Sequence, residues 1–191
     1  MSDPTTTGAR GLWVAPVTAD DAAWLSACQR IEREAFDHAQ LDLAAELRQP
    51  HASLWVAGVA AGPDDAPSPE ASPVAADAGS HGVPGAPEAG NQATPGAFVL
   101  VWYLADEVEI QTVATAPAGR RRGLGRALVE RALAAARERG CGRALLEVRA
   151  GNVAARGLYG SLGFQEDGVR RRYYSDPTED AVLMSRPLET P

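Results

Sequence analysis

The sequence contains little that would support a disulfide-rich, metal-bound or membrane-embedded protein. It has only two cysteines, Cys28 and Cys141, among its 191 residues. So few cysteines argue against a disulfide framework or a cysteine-based zinc site, so we expect both thiols to pack as small apolar side chains and we expect no metal. No segment approaches the ~20 consecutive apolar residues that a membrane span needs. We therefore expect no membrane association.

The start of the chain also lacks the basic and apolar regions of a secretory signal peptide, and we expect a cytoplasmic protein. The net charge of −7 argues against general nucleic-acid binding. This charge is unevenly distributed, with 4 arginines and 16 acidic residues in 1–115 but 14 arginines and 9 acidic residues in 116–191. The basic part could hold an anionic ligand and the acidic part could attract a cationic one, or both could simply be solvated surfaces.

Residues 61–96 differ in composition from the rest of the chain. They hold 7 of the 14 prolines and no aromatic residue or arginine. Such a segment buries too little apolar surface to offset its ordering entropy, which predicts a disordered insertion. It separates two apolar, strand-like stretches at 53–59 and 97–105, and closing a long loop costs little more than closing a short one. We therefore predict a single domain over 1–191, with the insertion at the tip of a hairpin.

Apolar periodicity predicts the order β-α-α-β-β-β-α-β-α-β-β. The predicted strands are 12–17, 53–59, 97–105, 107–115, 143–149 and a final hairpin within 169–188. The predicted helices run from a cap at Thr18 or Asp20 to about Phe36, over 41–48, over 124–139 and from Asn152 to Leu162. Val108, Ile110 and Thr112 are expected on one face of their strand. The predicted fold class is α/β, with a mixed, mostly antiparallel sheet of about seven strands flanked by helices on both faces.

The stretch RRRGLGRAL, residues 120–128, joins a predicted strand to a predicted helix. A helix N-terminus carries unpaired N–H groups and a partial positive charge, so arginines there have the wrong sign unless an anion binds among them. Gly123 and Gly125 would let a phosphate approach the backbone. The context predicts a pyrophosphate site rather than a solvated turn. The loop lacks the Gly-Lys-Ser/Thr ending of a Walker A sequence and the third glycine of a Rossmann fingerprint.

The residues R-R-R-G-L-G at 120–125 resemble the Gln/Arg-x-x-Gly-x-Gly/Ala pattern of the GNAT acyltransferase superfamily, in which this loop holds the pyrophosphate of acetyl-coenzyme A. Downstream, LLEVRAGNVAARGLYGSLGF (145–164) and VRRRYYSDPTEDAVLMSRPL (169–188) resemble the RimI branch, the N-terminal-alanine acetyltransferases of ribosomal proteins. The resemblance is strong over 108–188 and weak over 1–60. The insertion has no counterpart, and AFDHAQLDLAAEL (35–47) lacks the Pro-Trp that such enzymes often carry there.

This resemblance implies a GNAT fold, acetyl-coenzyme A as cosubstrate and a protein N-terminus, that of a ribosomal protein, as acceptor. It implies that the backbone of Val113, Ala114 and Thr115 pairs with the pantetheine arm and polarises the thioester carbonyl. The residues that would hold the pyrophosphate are Arg120, Arg121, Arg122, Gly123, Leu124, Gly125 and Arg126. Asn152 would also contact the cosubstrate, although a role as helix cap explains it equally well.

The resemblance further implies that Glu147 is the general base and that Tyr159 is the general acid that protonates the coenzyme A sulfur. From the residues alone, Glu147 could instead be a rim carboxylate paired with Arg149 or Arg171, and Tyr159 could be a core residue whose hydroxyl needs a partner. Tyr173 and Tyr174 either line a peptide entrance or cover the edge of the sheet.

Three functions fit this sequence. The first is acetylation of protein N-termini, and the second is acetylation of lysine side chains or of a small amine by the same fold. The third is a module that senses acyl-coenzyme A without chemistry. The presence of both Glu147 and Tyr159 argues against the third, because a sensor needs neither proton-transfer group.

Overall fold

The computed structural model describes residues 11–36, 41–59 and 94–189. Within these ranges the strands are β1 (Leu12–Val17), β2 (Ala52–Val59), β3 (Ala97–Leu104), β4 (Glu107–Thr115), β5 (Arg143–Arg149), β6 (Gln165–Ser175) and β7 (Thr178–Pro187). The helices are α1 (Ala22–Ala35), α2 (Leu43–Leu47), α3 (Leu124–Glu138) and α4 (Val153–Ser161), and a short 3₁₀ turn lies at Pro117–Gly119. This order of elements is the order that the sequence predicts.

The strands form one sheet in the order β1-β2-β3-β4-β5-β7-β6. Each neighbouring pair is antiparallel except β4 and β5. These two strands run parallel because the connection through α3 returns the chain to the end of the sheet at which β4 begins. The predicted mixed, mostly antiparallel sheet of seven strands is therefore confirmed.

Helices cover both faces of this sheet, as predicted. Helices α1 and α2 pack against one face, where Ile31, Leu43 and Phe98 are fully buried. Helices α3 and α4 pack against the other face. Cys28 lies in the first core and Cys141 in the second, both as buried free thiols, so each packs as the small apolar residue that the sequence predicts. Among the described helices, none is long and apolar enough to cross a membrane.

Strands β2 and β3 pair as antiparallel neighbours on either side of the predicted insertion. That insertion lies outside the described residues except for residues 94–96. Here the backbone N–H of Gly96 donates to the carbonyl of Ala57, and the N–H of Ala116 donates to the carbonyl of Gly96. The last residues of the predicted segment are therefore part of the hydrogen-bonded framework between β2 and the end of β4.

Strand β4 contains a bulge that the sequence does not predict. Leu100 of β3 pairs with Thr112 and Val101 pairs with Ile110, which leaves Gln111 without a partner on β3. One extra residue reverses the face that the following side chains take. The prediction that Thr112 shares the face of Ile110 is therefore wrong.

The start of α1 also differs from the prediction. Asp21, rather than Thr18 or Asp20, holds the N-cap position. Its carboxylate accepts hydrogen bonds of 2.7 Å from both the backbone N–H and the hydroxyl of Thr18, so it closes the turn that precedes the helix. The predicted cap of α4 is correct, because the side-chain oxygen of Asn152 accepts from the N–H of Ala155 at 3.1 Å.

Strands β4 and β5 pair over only part of their length. Their ladder runs from Glu107 opposite Arg143 to Ile110 opposite Leu146. Beyond these pairs the two strands diverge, although β4 continues to Thr115 and β5 continues for three more residues. The Gln111 bulge bends β4 where the divergence begins. We call the space between the two diverging strands the β4–β5 gap.

Candidate active site

The glycine-rich loop forms a backbone cradle at the start of α3. Arg121 and Gly123 have positive φ values of 62° and 84°, which turn the chain so that the helix begins at Leu124. Within the described part of the chain, none of the backbone N–H groups of residues 121–126 donates to a carbonyl, and the first helical bond is donated by Ala127 to Gly123. These unpaired donors, at the positive end of a helix, suit an anion.

Gly125 faces the β4–β5 gap. A Cβ atom built at this position would lie 3.6 Å from Leu158 of α4 and 3.8 Å from Thr115 of β4, which are ordinary contact distances. Protein packing therefore does not require a glycine here. A glycine here is what the predicted phosphate site needs, because it lets a ligand approach the backbone.

The arginines of this loop fall into two groups. Arg120, Arg121 and Arg122 are exposed, and they form no salt bridge within the described residues. Arg126, by contrast, lies 3.5 Å from Glu130 and donates a 2.6 Å hydrogen bond to the hydroxyl of Ser161. Arg126 thus joins α3 to α4 through contacts with protein side chains alone. Arginines at this helix start have the wrong sign unless an anion binds among them, but Arg126 does not require a bound ligand, because it pairs with Glu130.

The end of β4 presents backbone groups to the gap. Ala116 donates its N–H toward the β3 side, to Gly96. Because the N–H groups of successive strand residues point to alternate edges, Ala114 also faces β3, while Val113 and Thr115 face the gap. Ala114 is fully buried in the α1 face. Of the three predicted residues, Val113 and Thr115 therefore have the direction needed to pair with a ligand strand.

Glu147 lies on β5 where that strand leaves β4. Its neighbours Leu146 and Val148 point into the α3 and α4 core, so its own side chain points to the opposite face. The carboxylate forms a short ion pair with Arg170 of β6 and is 20 % exposed. The partners considered from the sequence, Arg149 and Arg171, are not the ones it uses.

Arg149 is held elsewhere, against Tyr174 and the turn between β6 and β7. Its guanidinium lies 4.2 Å from the centre of the Tyr174 ring and 3.1 Å from the carboxylate of Glu179. Glu179 also accepts the N–H of Gly151 at 2.5 Å, and this hydrogen bond, followed by Arg149, lowers the pKa of Glu179. These contacts of Arg149 and Glu179 connect the β6–β7 hairpin to the loop before α4, beside Asn152.

Tyr159 reaches the site from α4. It packs in the core with Ala155, Leu158 and Leu162, and its ring meets Phe164 edge-on, with ring centres 5.8 Å apart. Within the described part of the chain its hydroxyl has no hydrogen-bond partner. Burial, followed by the nearby Tyr174, raises its pKa to about 12. The phenol is therefore protonated at neutral pH and can donate its proton to a strong base.

Tyr173 and Tyr174, on β6, lie near Glu147. Tyr173 is 51 % exposed, and hydrogen bonding to Glu147, followed by the charge of that carboxylate, raises its pKa. Tyr174 is more buried, and burial, followed by Glu147, raises its pKa. The two rings meet at nearly a right angle, 84°, with centres 5.2 Å apart. Both hydroxyl groups are close enough to Glu147 for its charge to raise their pKa values.

A bulge in β6 gives these side chains their positions. Arg170 pairs with Ala181 and Tyr174 pairs with Glu179, so the three residues 171–173 lie opposite a single residue, Asp180. Arg172, at the centre, has a φ of 53°, in the left-handed region. Its N–H donates to the Asp180 carboxylate at 2.7 Å, which stabilises the bulge. Arg170 is a site residue that the sequence reasoning missed.

The site has no arrangement typical of a metal centre. Among the described residues, no group of three or more His, Cys, Asp or Glu side chains converges closely enough to hold an ion. Around the β4–β5 gap lie a backbone cradle for an anion, the Glu147 carboxylate on one face of the sheet and, in the α3 and α4 core of the other face, the protonated phenol of Tyr159. Such a set can bind a phosphorylated ligand and move protons at its reactive end.

Comparison with known proteins identifies the family of this chain. The sequence profile of the acetyltransferase (GNAT) family matches residues 63–164, more than half of the chain. The chain belongs to this family, and the predicted GNAT resemblance is confirmed.

Two curated relatives narrow the resemblance to the RimI branch. The ribosomal protein bS18 alanine N-acetyltransferase of Escherichia coli K12 is 44 % identical over 94 residues, which cover 48 % of this chain and 64 % of that enzyme. The N-alpha-acetyltransferase RimI of Mycobacterium tuberculosis is 45 % identical over 80 residues, which cover 42 % of this chain and 49 % of that protein. The chain thus matches less than two thirds of the length of each.

Solved structures extend the likeness over nearly the whole chain. The crystal structure of the ribosomal-protein-S18-alanine N-acetyltransferase from Escherichia coli has a TM-score of 0.68 and 26 % identity, and the match covers 94 % of this chain and 96 % of that one. A chain in the NatC complex bound to Gag peptide and coenzyme A also has a TM-score of 0.68, at 17 % identity with 94 % and 99 % covered. The second comparison bears on the fold alone.

Proposed function

We propose that the protein transfers the acetyl group of acetyl-coenzyme A to the N-terminal α-amine of a protein, an alanine-initiated ribosomal protein in the first place. The observation that supports this proposal is the set of three chemical groups in and around the β4–β5 gap. These are the cradle at 121–126, the Glu147 carboxylate and the neutral Tyr159 hydroxyl. Each supplies one requirement of acyl transfer from a thioester to an amine.

The cradle and the diverging strand fit the cosubstrate. The N–H groups of residues 121–126 would bind the pyrophosphate, with Arg120, Arg121 and Arg122 at its rim. Val113 and Thr115 would pair with the pantetheine arm as if it were an added strand. Acetyl-coenzyme A supplies the activated acetyl group, and the chain supplies its position and the proton transfers.

Two side chains divide the proton transfers. Glu147 accepts a proton from the amine as its nitrogen attacks the thioester carbonyl carbon, directly or through a water. As the carbon–sulfur bond breaks, the departing thiolate takes the proton of Tyr159. Burial raises the pKa of Tyr159 to about 12, so the phenol carries its proton at neutral pH and can donate a hydrogen bond to the departing sulfur. Backbone N–H groups at the end of β4 would stabilise the charge on the carbonyl oxygen.

An α-amine is the acceptor that suits a single carboxylate. Its reference pKa is ~8, against ~10.4 for lysine, so it needs far less help to lose its proton near neutral pH. The similarity to an alanine N-acetyltransferase of ribosomal protein bS18 points the same way. Residues 35–47 lack the Pro-Trp, and this region is expected to shape the pocket for the first residue of the acceptor protein. Serine or threonine at that first position could therefore rival alanine.

A competition between two peptides tests this proposal. One begins with a free alanine and contains no lysine, and the other has a blocked N-terminus and one internal lysine. Mixed at equal concentration with the protein and acetyl-coenzyme A, the first should gain the acetyl group faster, as read by product mass. Faster acetylation of the lysine peptide would favour the lysine-acetylating alternative. Binding of acetyl-coenzyme A without turnover of either peptide would favour an acyl-coenzyme A sensor.

A further inference from the structure

The ion pair between Glu147 and Arg170 joins residues that are not on neighbouring strands. Strand β7 lies between β5 and β6, and the register places Leu183 between Glu147 and Gly168. Gly168 and Arg170 lie two residues apart on β6, so they share the face on which Glu147 lies. The long arginine side chain then crosses β7 to reach the carboxylate.

The carboxylate is therefore engaged before any acceptor arrives. Arg170 donates from its terminal nitrogen to one oxygen, Oε1, of Glu147. Tyr173 lies against the same carboxylate, and the Arg170 guanidinium lies 5.5 Å from the centre of the Tyr173 ring. The Arg170 side chain is 53 % exposed, so it is accessible to an acceptor that approaches Glu147 from solvent.

A fixed cation beside a base affects the amines that can approach it. A charged ammonium would meet the like charge of Arg170 at the point where it could otherwise pair with Glu147. A neutral amine meets no such repulsion. Since the α-amine has the lower reference pKa, by ~2 units, the neutral form near pH 7 is far more abundant for an N-terminus than for a lysine.

Resting on the function proposed above, we infer that Arg170 is a positioning and specificity-determining residue. It restrains the Glu147 carboxylate on its face of the sheet, and its charge disfavours acceptors that arrive as ammonium ions, so it directs acetylation to α-amines over lysine side chains. The β6 bulge, held by Asp180, is the local structure that places Arg170 and Tyr173 on the same carboxylate.

The test measures kcat/KM separately for the alanine-initiated peptide and for the blocked lysine peptide. Arg170→Gln should lower the ratio of the two values at least about tenfold, as expected when a like charge is removed from the path of one acceptor. Its KM for the lysine peptide should fall, because Glu147 can then pair with the ammonium. Its kcat for the alanine peptide should also fall, because the carboxylate has lost its restraint.

Two further variants separate this role from a general effect. Arg170→Lys keeps a cation within reach of one carboxylate oxygen and should restore most of the ratio. Arg171→Gln removes the same charge from the next residue, which is exposed and does not pair with Glu147, and should leave the ratio unchanged. An unchanged ratio in a folded Arg170→Gln protein, or an equal change in Arg171→Gln, would overturn the inference.

The proposed function and this inference fail in different measurements. The wild-type ratio tests whether the α-amine is the preferred acceptor. The change of the ratio between wild type and Arg170→Gln tests the role of Arg170, whichever acceptor the wild type prefers. Thermal unfolding of each variant checks the fold.

Discussion

Gly125 is the residue at which a single side chain can separate cosubstrate binding from folding. A carboxylate there would lie among the N–H groups of the cradle, where the pyrophosphate is proposed to bind, while the surrounding protein atoms leave room for a Cβ. We expect Gly125→Glu to weaken coenzyme A binding at least ~100-fold through charge repulsion and loss of the site. Isothermal calorimetry measures the affinity.

Gly142 provides the control for this change. It also has space for a Cβ, with no atom of the described structure within 4 Å, and it lies at the other end of the sheet, before β5. Gly142→Glu should bind coenzyme A as the wild type does. If Gly125→Glu bound coenzyme A with the affinity of the wild type, the loop would not be part of the binding site.

Glu147 and Tyr159 should affect turnover without affecting binding. Glu147→Gln and Tyr159→Phe keep the size of each side chain and remove the proton acceptor or donor. Each should lower kcat ~10²-fold or more, in line with general acid–base contributions, with little change in affinity for acetyl-coenzyme A. Tyr103→Phe is the matched control, because Tyr103 is also buried enough to raise its pKa but pairs with Val108 at the far end of β4. Wild-type rates in the first two variants would make these residues structural.

At the scale of the element, the β6 bulge allows a test by stability. Arg172 has a φ of 53°, which glycine adopts without strain and other residues adopt at a cost. We expect Arg172→Gly to raise the free energy of unfolding by ~1 kcal/mol, the order of magnitude of such strain. Arg171→Gly, in the same strand without a positive φ, should lower it by ~0.5–1 kcal/mol. Urea unfolding of both variants checks the prediction, and a loss of stability in Arg172→Gly would contradict it.

Most elements could be predicted because their signals are local. Strands β1, β4 and β5 begin and end at the predicted residues, since alternating apolar residues are bounded by turns and helices. The Gln111 bulge could not be predicted, because an extra residue is defined only against its partner strand. The Asp21 cap was missed for a similar reason, since three neighbouring polar residues, Thr18, Asp20 and Asp21, fit the cap pattern almost equally well.

The site was only partly predictable because its contacts are not local. The cradle is one continuous stretch at 121–126, so the sequence carries its signal. The partner of Glu147 depends instead on the strand order β5-β7-β6, which places Arg170 across an intervening strand. Arg126 also needs knowledge of α4 before its contact with Ser161 can be foreseen. The assignment of these residues to binding and catalysis remains a prediction.

At the scale of the whole molecule, the chain between β2 and β3 can be tested by deletion. The composition of residues 61–96 predicts that they add little to the folded core. Removing residues 63–93 and joining the ends should therefore shift the melting temperature by only a few degrees. Limited proteolysis of the full protein should cut first within this segment.

A longer deletion is the informative comparison. Removal that extends through residue 96 also removes the hydrogen bonds of Gly96 with Ala57 and Ala116. At ~1 kcal/mol for each net hydrogen bond, this variant should melt several degrees lower than the shorter deletion. Equal melting temperatures for the two deletion variants would contradict the placement of the boundary before residue 94. A large loss of stability already in the shorter deletion would contradict it as well.

Where β4 and β5 diverge, β4 has a strand edge in the middle of the sheet whose backbone groups do not pair with β5. Amide hydrogens on that edge, those of Val113 and Thr115, should exchange with solvent faster than that of Ala114, which points to β3. A cosubstrate that pairs with the edge acts as the missing strand and slows that exchange. On the proposed function, the stability of this protein should therefore depend on the supply of cosubstrate, and the free energy of unfolding should rise by ~2.7 kcal/mol when free acetyl-coenzyme A reaches about 100 times its Kd.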